Sequence, residues 1–147
     1  MTTLGTFFAV YGSTAIATRL GGGNHYDQLP HRLVTVVAIS TQAAGLGMLA
    51  IADSALVLLI GAALLGAAHG VVFPILSSQV VTRARTSERG SAIAMFTSIF
   101  DIALLTLAPI VGLIIDRSGY GPAFGGVAGT LAIGTIVYVL LDRRSTE

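Results

Sequence analysis

Five long apolar runs separated by short charged clusters constrain this chain more than any other feature. The runs are Thr2–Thr18, Leu33–Ala52, Ala55–Thr82, Gly90–Ile115 and Tyr120–Leu141. A bilayer core of about 30 Å is crossed by roughly 20 apolar helical residues, with a working range of about 17–25. The first run stands at the lower limit, and the third and fourth can tilt or extend past the core. Only 10% of the 147 residues are charged, against 54% hydrophobic. A water-soluble domain carries about 25% charged residues, so lipid is the solvent that this composition suits. The expected fold class is all-α, a polytopic transmembrane helix bundle. It forms a single domain over 1–147 with five spans at about 2–18, 33–52, 55–82, 90–115 and 120–141.

Cysteine is absent, which removes disulfides, thiol nucleophiles and Cys-based metal sites. A net charge of +1 makes no case for a nucleic-acid partner. The positions of the charges say more than their sum. Lysine is absent, and the arginines gather between alternate runs: Arg19 and Arg32, then Arg83, Arg85 and Arg89, then Arg143 and Arg144. Only Arg117 falls on the other side. The positive-inside rule makes the arginine-rich side cytoplasmic, with Met1 outside and Glu147 inside, in the plasma (cytoplasmic) membrane. Met1 opens almost directly into a run with no basic segment before it, unlike a cleaved signal peptide. An odd number of spans starting outside is what the tail of a longer membrane protein would show.

One carboxylate interrupts the fourth run. Asp101 follows Gly90 by 11 residues, roughly 16 Å of helix, which brings it near mid-bilayer. An ionisable group there is expensive and marks a functional position by default. It could exchange a proton or meet a cationic substrate; equally, it could hydrogen-bond a neighbouring helix or face a missing part of the protein. His69 is centred in the third run, and histidine is the residue type suited to physiological proton exchange, so a proton relay with Asp101 is one reading and neutral packing the other. Tyr11 lies eight residues before Arg19, about 12 Å into the membrane, where its hydroxyl needs a partner. Gln79 lies nearer the cytoplasmic end and reads as an interhelical hydrogen-bonding residue.

Gly66 and Gly70 form a small-xxx-small face, and Gly121, Gly125 and Gly129 a longer one. Such faces let helix backbones approach closely in lipid, where no hydrophobic drive joins helices. Pro74 and Pro109 each remove a helix hydrogen bond and are expected to kink their spans.

The first connection reads Arg19-Leu20-Gly21-Gly22-Gly23-Asn24-His25-Tyr26-Asp27-Gln28-Leu29-Pro30-His31-Arg32. It resembles the loop signature of major facilitator superfamily transporters at Gly23, Asp27 and Arg32, with His31 at a basic position. Gln28 and Pro30 stand where that pattern has a basic residue and a glycine. Gly66-Ala67-Ala68-His69-Gly70 with Pro74 is similar to the family's glycine-rich span before a cytoplasmic loop. Arg89-Gly90-Ser91-Ala92 resembles the start of the penultimate span. Asp101 with Pro109 and Gly112, then Gly119-Tyr120 with Phe124, resembles the last pair of spans in drug and metabolite exporter branches. Ala103 and Ala108 replace two glycines of that pattern.

In order and spacing, these stretches match the last five of twelve spans. Such transporters consist of two six-span halves with inverted repeats nested inside each. The resemblance therefore implies a carboxy-terminal half that lacks its first span, and a missing amino-terminal half or a second copy as partner. It implies a secondary transporter that moves a small-molecule substrate by alternating access, as proton-coupled efflux or antiport with protons as the coupling ion. Asp101, Tyr11 and His69 would line the substrate and proton pathway. Gly23, Asp27, Arg32 and Arg19 would form a cytoplasmic loop latch, with Asp27 holding a helix amino terminus or Arg19. Gly66, Gly70, Pro74, Pro109 and Gly112 would set helix packing and kinks.

The competing class is a non-transporting helical membrane protein, an assembly partner or vestigial fragment whose Asp101 fixes helix association. An enzyme is not expected. The chain has no Cys, no HExxH pair, no Gly-x-Ser-x-Gly and no second acid beside Asp101 within a span. His25, His31 and His69 lack metal-ligand spacing. No cofactor is expected, and no nucleotide-binding glycine loop is present to drive an ATP-powered pump.

Overall fold

The computed structural model describes residues 2–26 and 29–142. They form five α-helices: α1 (Thr2–Tyr26), α2 (His31–Ala50), α3 (Ala55–Arg83), α4 (Arg89–Ser118) and α5 (Tyr120–Asp142). A short 3-10 turn, Thr86–Glu88, leads into α4. The all-helical bundle follows the five apolar runs within a few residues at most ends. Four helices, α2 to α5, are long and apolar enough to cross a membrane. Helix α1 is not among them by composition, its apolar residues being diluted by threonine, serine, glycine and Arg19.

The largest departure from the expected boundaries is the end of α1. The run was expected to stop at Thr18, with Arg19–Arg32 as a loop; instead helix continues to Tyr26 and carries Gly23 on it. Glycine weakens a helix by about 1 kcal/mol per residue but does not break it. The first proline, Pro30, comes later, at the N-cap of α2. There its missing N–H is not needed by the helix. Asp27 lies outside the described residues.

Helix α3 is the hub. It packs against α1, α2 and α4, while α2 also packs on α5, and α5 on α4. Register gives the directions. Gly66 faces Tyr11 and Thr14, and Gly70 faces Ala15 and Thr18, so α1 and α3 rise together in parallel. Gly45 meets Leu65 while Thr35 bonds Gln79, so α2 and α3 run antiparallel. The buried core is thin and made of small or branched residues: Val34 and Ala38 of α2 with Val71 and Ile75 of α3. No large side chain is fully buried among the described residues, and leucines and isoleucines point outward on every helix, as lipid solvation permits.

Local sequence sets the joints. Ser54 caps α3 by accepting from the Val57 N–H at 3.4 Å. Gly119 ends α4 with φ +87° and ψ 177°, and its N–H donates to the Ile115 carbonyl at 2.8 Å. That conformation is essentially closed to residues with a Cβ, and it lets α5 begin one residue later. Pro74 and Pro109 both sit inside uninterrupted helices. Lacking an N–H, they free the carbonyls of Gly70 and Leu105 respectively.

Candidate functional site

The α1–α3 seam builds the first part of the site. A Cβ at Gly66 would collide with the Tyr11 carbonyl and the Thr14 hydroxyl, and one at Gly70 with the Ala15 carbonyl and the Thr18 hydroxyl. Only glycine lets the two backbones come this close. Thr14 and Thr18 keep their own hydroxyls satisfied by bonding back to carbonyls one turn earlier on α1, at 2.8–3.1 Å. The same close approach carries the Tyr11 side chain across to His69. Their ring centroids lie 5.9 Å apart at an interplanar angle of 45°.

His69 is exposed and lies midway along α3, 14 residues from either end of the helix. Phe73, one turn further on, shares its face. Phe73 meets Phe96 at 5.8 Å and 45°, and Phe100 at 6.0 Å and 75°, an edge-to-face pair. Five rings from α1, α3 and α4 thus share one side of the hub helix. The sequence reading named Tyr11 and His69 separately and passed over the phenylalanines. Their four-residue spacings, 69 to 73 and 96 to 100, were the signal available.

Asp101 follows Phe100 on α4. Every residue from Thr97 to Ile110 is exposed, Asp101 included. Among the described residues it makes no hydrogen bond or ion pair, and none joins it to His69. The structure therefore pairs His69 with Tyr11, and places Asp101 on a length of α4 that the other described residues leave uncovered.

Of the loop residues, Arg19 is exposed and Gly23 lies on α1. Arg32 reaches across the bundle and donates from Nη2 to the Val139 carbonyl of α5 at 2.7 Å, so it holds the last turns of α5. Gln79 Nε2 donates to Thr35 Oγ1 at 3.1 Å, the interhelical bond expected of it. Gly112 has no tight neighbour among the described residues, since a Cβ there would meet nothing within 4 Å. Gly121 and Gly125 pack on Ala50 of α2, whereas Gly129 is open.

Two apolar cavities lie away from Tyr11, His69 and Asp101. One of about 500 Å³ opens among Phe7, Leu49, Leu58 and Phe124 at the start of α1, α3 and α5. Another of about 250 Å³ lies beside Thr18, Val34 and Val71. No group of three or more His, Cys, Asp or Glu side chains is placed to hold a metal among the described residues.

Comparison with known proteins agrees with the helical architecture. The Major Facilitator Superfamily model matches residues 1–147. An uncharacterized MFS-type transporter of Burkholderia pseudomallei (strain K96243) is 30% identical over 138 residues, covering 94% of this chain and 34% of the relative. A protein of the same description from Burkholderia mallei (strain SAVP1) gives the same figures. A third, from Salmonella typhimurium, is 30% identical over 140 residues, covering 95% of this chain and 36% of the relative. The chain thus spans about a third of the length of the curated relatives it matches. No solved structure matches significantly. The family is one of non-enzymatic membrane transporters, in keeping with a helical chain dominated by apolar spans. This multi-pass membrane chain belongs to the Major Facilitator Superfamily.

Proposed function

We propose that this chain forms part of a secondary transporter that moves a small organic molecule across the plasma membrane by alternating access, as proton-coupled efflux. All five helices cross the bilayer in this reading, α1 held by its seam with α3, and the arginine-rich ends face the cytoplasm. Asp101, Tyr11 and His69 line the pathway. Arg19, Gly23, Asp27 and Arg32 belong to a cytoplasmic latch that works against the remainder of the transporter or a second copy of this chain.

The observation that carries this reading is Asp101. A carboxylate halfway along an apolar helix, exposed and without a partner among the described residues, is not stable against lipid tails. It must face a hydrated cavity or another polypeptide. A cavity-lining acid is what a proton-coupled carrier needs, because protonation there changes the cost of each conformation.

The test is substrate flux in vesicles containing the complete protein that carries this chain, with and without an imposed proton gradient. Asp101→Asn keeps shape and removes the carboxyl group. Loss of gradient-driven flux with retained expression supports the proposal. Unchanged gradient-driven flux overturns the role of Asp101 and favours a part in helix association.

A further inference from the structure

The larger apolar cavity, about 500 Å³, opens at the membrane end where α1, α3 and α5 begin and α2 stops. Helix packing accounts for it. Helix α1 lies on α3, while α5 lies on α2 and α4, which leaves a gap between α1 and α5 beside the end of α2. Phe7, Leu49, Leu58 and Phe124 make its walls apolar, and Thr3 and Tyr120 bring hydroxyls. Tyr120 stacks on Phe124, their ring centroids 6.2 Å apart at 18°. No charged side chain among the described residues lines the cavity. His69 stands 11 residues beyond Leu58 on α3, roughly 16 Å deeper, so the cavity is a place apart from the proposed pathway.

The surroundings of its mouth differ in kind. Asp53 follows Ala52, which lines the cavity. Arg117 precedes Tyr120 by three residues, at most about 11 Å of chain, and Asp116 is next to Arg117. All three are exposed, and none forms an ion pair among the described residues. One cation and two carboxylates thus stand beside an apolar cavity at the ends of helices long and apolar enough to cross a membrane.

We propose that this cavity is a lipid site: it holds an acyl chain of a zwitterionic phospholipid, whose phosphate meets Arg117 and whose ammonium meets Asp53 or Asp116. Its volume is in the range of small-molecule sites, and an apolar cavity stays dry. Left empty, its walls forfeit their dispersion contacts. At the edge of a bilayer the apolar filler at hand is an acyl chain.

The charges select the head group. A phosphate pairs with an arginine, and an ammonium with a carboxylate, through charge-assisted hydrogen bonds. An anionic lipid satisfies Arg117 but leaves two carboxylates facing negative charge. A free apolar molecule fills the walls and leaves all three charges unused. The Thr3 and Tyr120 hydroxyls have no hydrogen-bond partner among the described residues, and they suit the ester oxygens that join chain to head. The inference needs these helices to cross the membrane, and it does not depend on what the protein transports.

The test is native mass spectrometry of the complete protein released from detergent micelles. Titration with dioleoyl phosphatidylethanolamine or dioleoyl phosphatidylglycerol reads the lipid retained. Ala52→Phe and Leu58→Trp put bulk into the cavity, and melting followed by circular dichroism checks that each variant is folded. Ala52 lies in the connection between α2 and α3, so its replacement keeps the test open if Leu58→Trp does not fold.

Phosphatidylethanolamine is expected to be retained, and more tightly than phosphatidylglycerol. Ala52→Phe and Leu58→Trp should lose it, and Arg117→Gln should weaken it about fivefold. Asp53→Asn combined with Asp116→Asn should abolish the preference between the two lipids. Arg85→Gln, at the opposite membrane end, should leave retention as it is. Retention indifferent to the cavity-filling variants overturns the inference, as does phosphatidylglycerol held equally or more tightly. Absence of any retained lipid overturns it too, and assigns the cavity to another part of the polypeptide.

Discussion

Replacing Gly66 by alanine tests the α1–α3 seam on which half of the candidate site rests. The new Cβ would lie 2.9 Å from the Tyr11 carbonyl carbon and closer still to the oxygen. Thr14 can rotate its hydroxyl away, but the Tyr11 carbonyl is backbone and can move only with the helix. Restoring ordinary contact moves α1 outward by about 1 Å, and a gap of that size forfeits roughly a quarter to a half of the dispersion attraction at each contact it opens. Overpacking of this kind costs about 1–3 kcal/mol. The gain from placing alanine for glycine in a helix, about 1 kcal/mol at most, opposes it.

A paired control separates the two effects. Gly12 lies on α1, the other helix of the seam, and a Cβ there meets nothing within 4 Å, so Gly12→Ala keeps the propensity gain without the collision. The propensity gain is common to both, so the two variants should differ by the overpacking cost of about 1–3 kcal/mol, Gly66→Ala being the less stable. Unfolding of the complete protein in mixed micelles, titrated with SDS and followed by circular dichroism, measures that difference. Because Tyr11 is carried to His69 by this contact, the variant should also move the Tyr11 ring away from His69. Equal midpoints for Gly66→Ala and Gly12→Ala would refute the seam as described.

Gly119→Ala forces a Cβ onto a backbone at φ +87° and should destabilise the α4–α5 joint by about 1–3 kcal/mol; a melting temperature equal to wild type would contradict the joint's geometry. Arg32→Gln loses the charged donor to the Val139 carbonyl. The last turn of α5 should then exchange its amide hydrogens at least about tenfold faster, since a hydrogen bond to a charged group contributes about 1.5–3 kcal/mol, as mass spectrometry would show. Thr35→Val leaves the half-buried Gln79 amide without its partner and should cost about 1–3 kcal/mol. Adding Gln79→Leu should recover most of that loss, and additive losses in the double variant would rule out direct coupling.

The helix count and most boundaries could be read from the sequence because lipid imposes them: run length and the position of charge decide where a span can start and stop. The extension of α1 through Gly21-Gly22-Gly23 could not. Glycine signals a turn in water, yet nothing before Pro30 obliges this helix to end. The close approach at Gly66 and Gly70 was legible as a small-residue face, but which helix it admits is a question of neighbours. The neighbour is α1, two helices back, and the adjacent α2 takes another side of α3. That is why His69 could be paired with Asp101 on paper while the structure gives it Tyr11. Arg32 was assigned to a loop latch from its motif. Its reach to α5 depends on the α2–α5 packing, which no local pattern encodes.

The parallel seam between α1 and α3 also bears on the order in which the chain is made. Helix α1 is the least apolar of the five and gains least from lipid by itself. Its packing partner is not α2, the next helix to leave the ribosome, but α3, which completes its glycine face only after Gly70 has been synthesised. Until then Thr14 and Thr18 have no glycine face to dock against. The least apolar helix therefore docks only after the first half of α3 has been made, and a ribosome stalled between Ala50 and Gly70 would leave it without the surface that holds it in place.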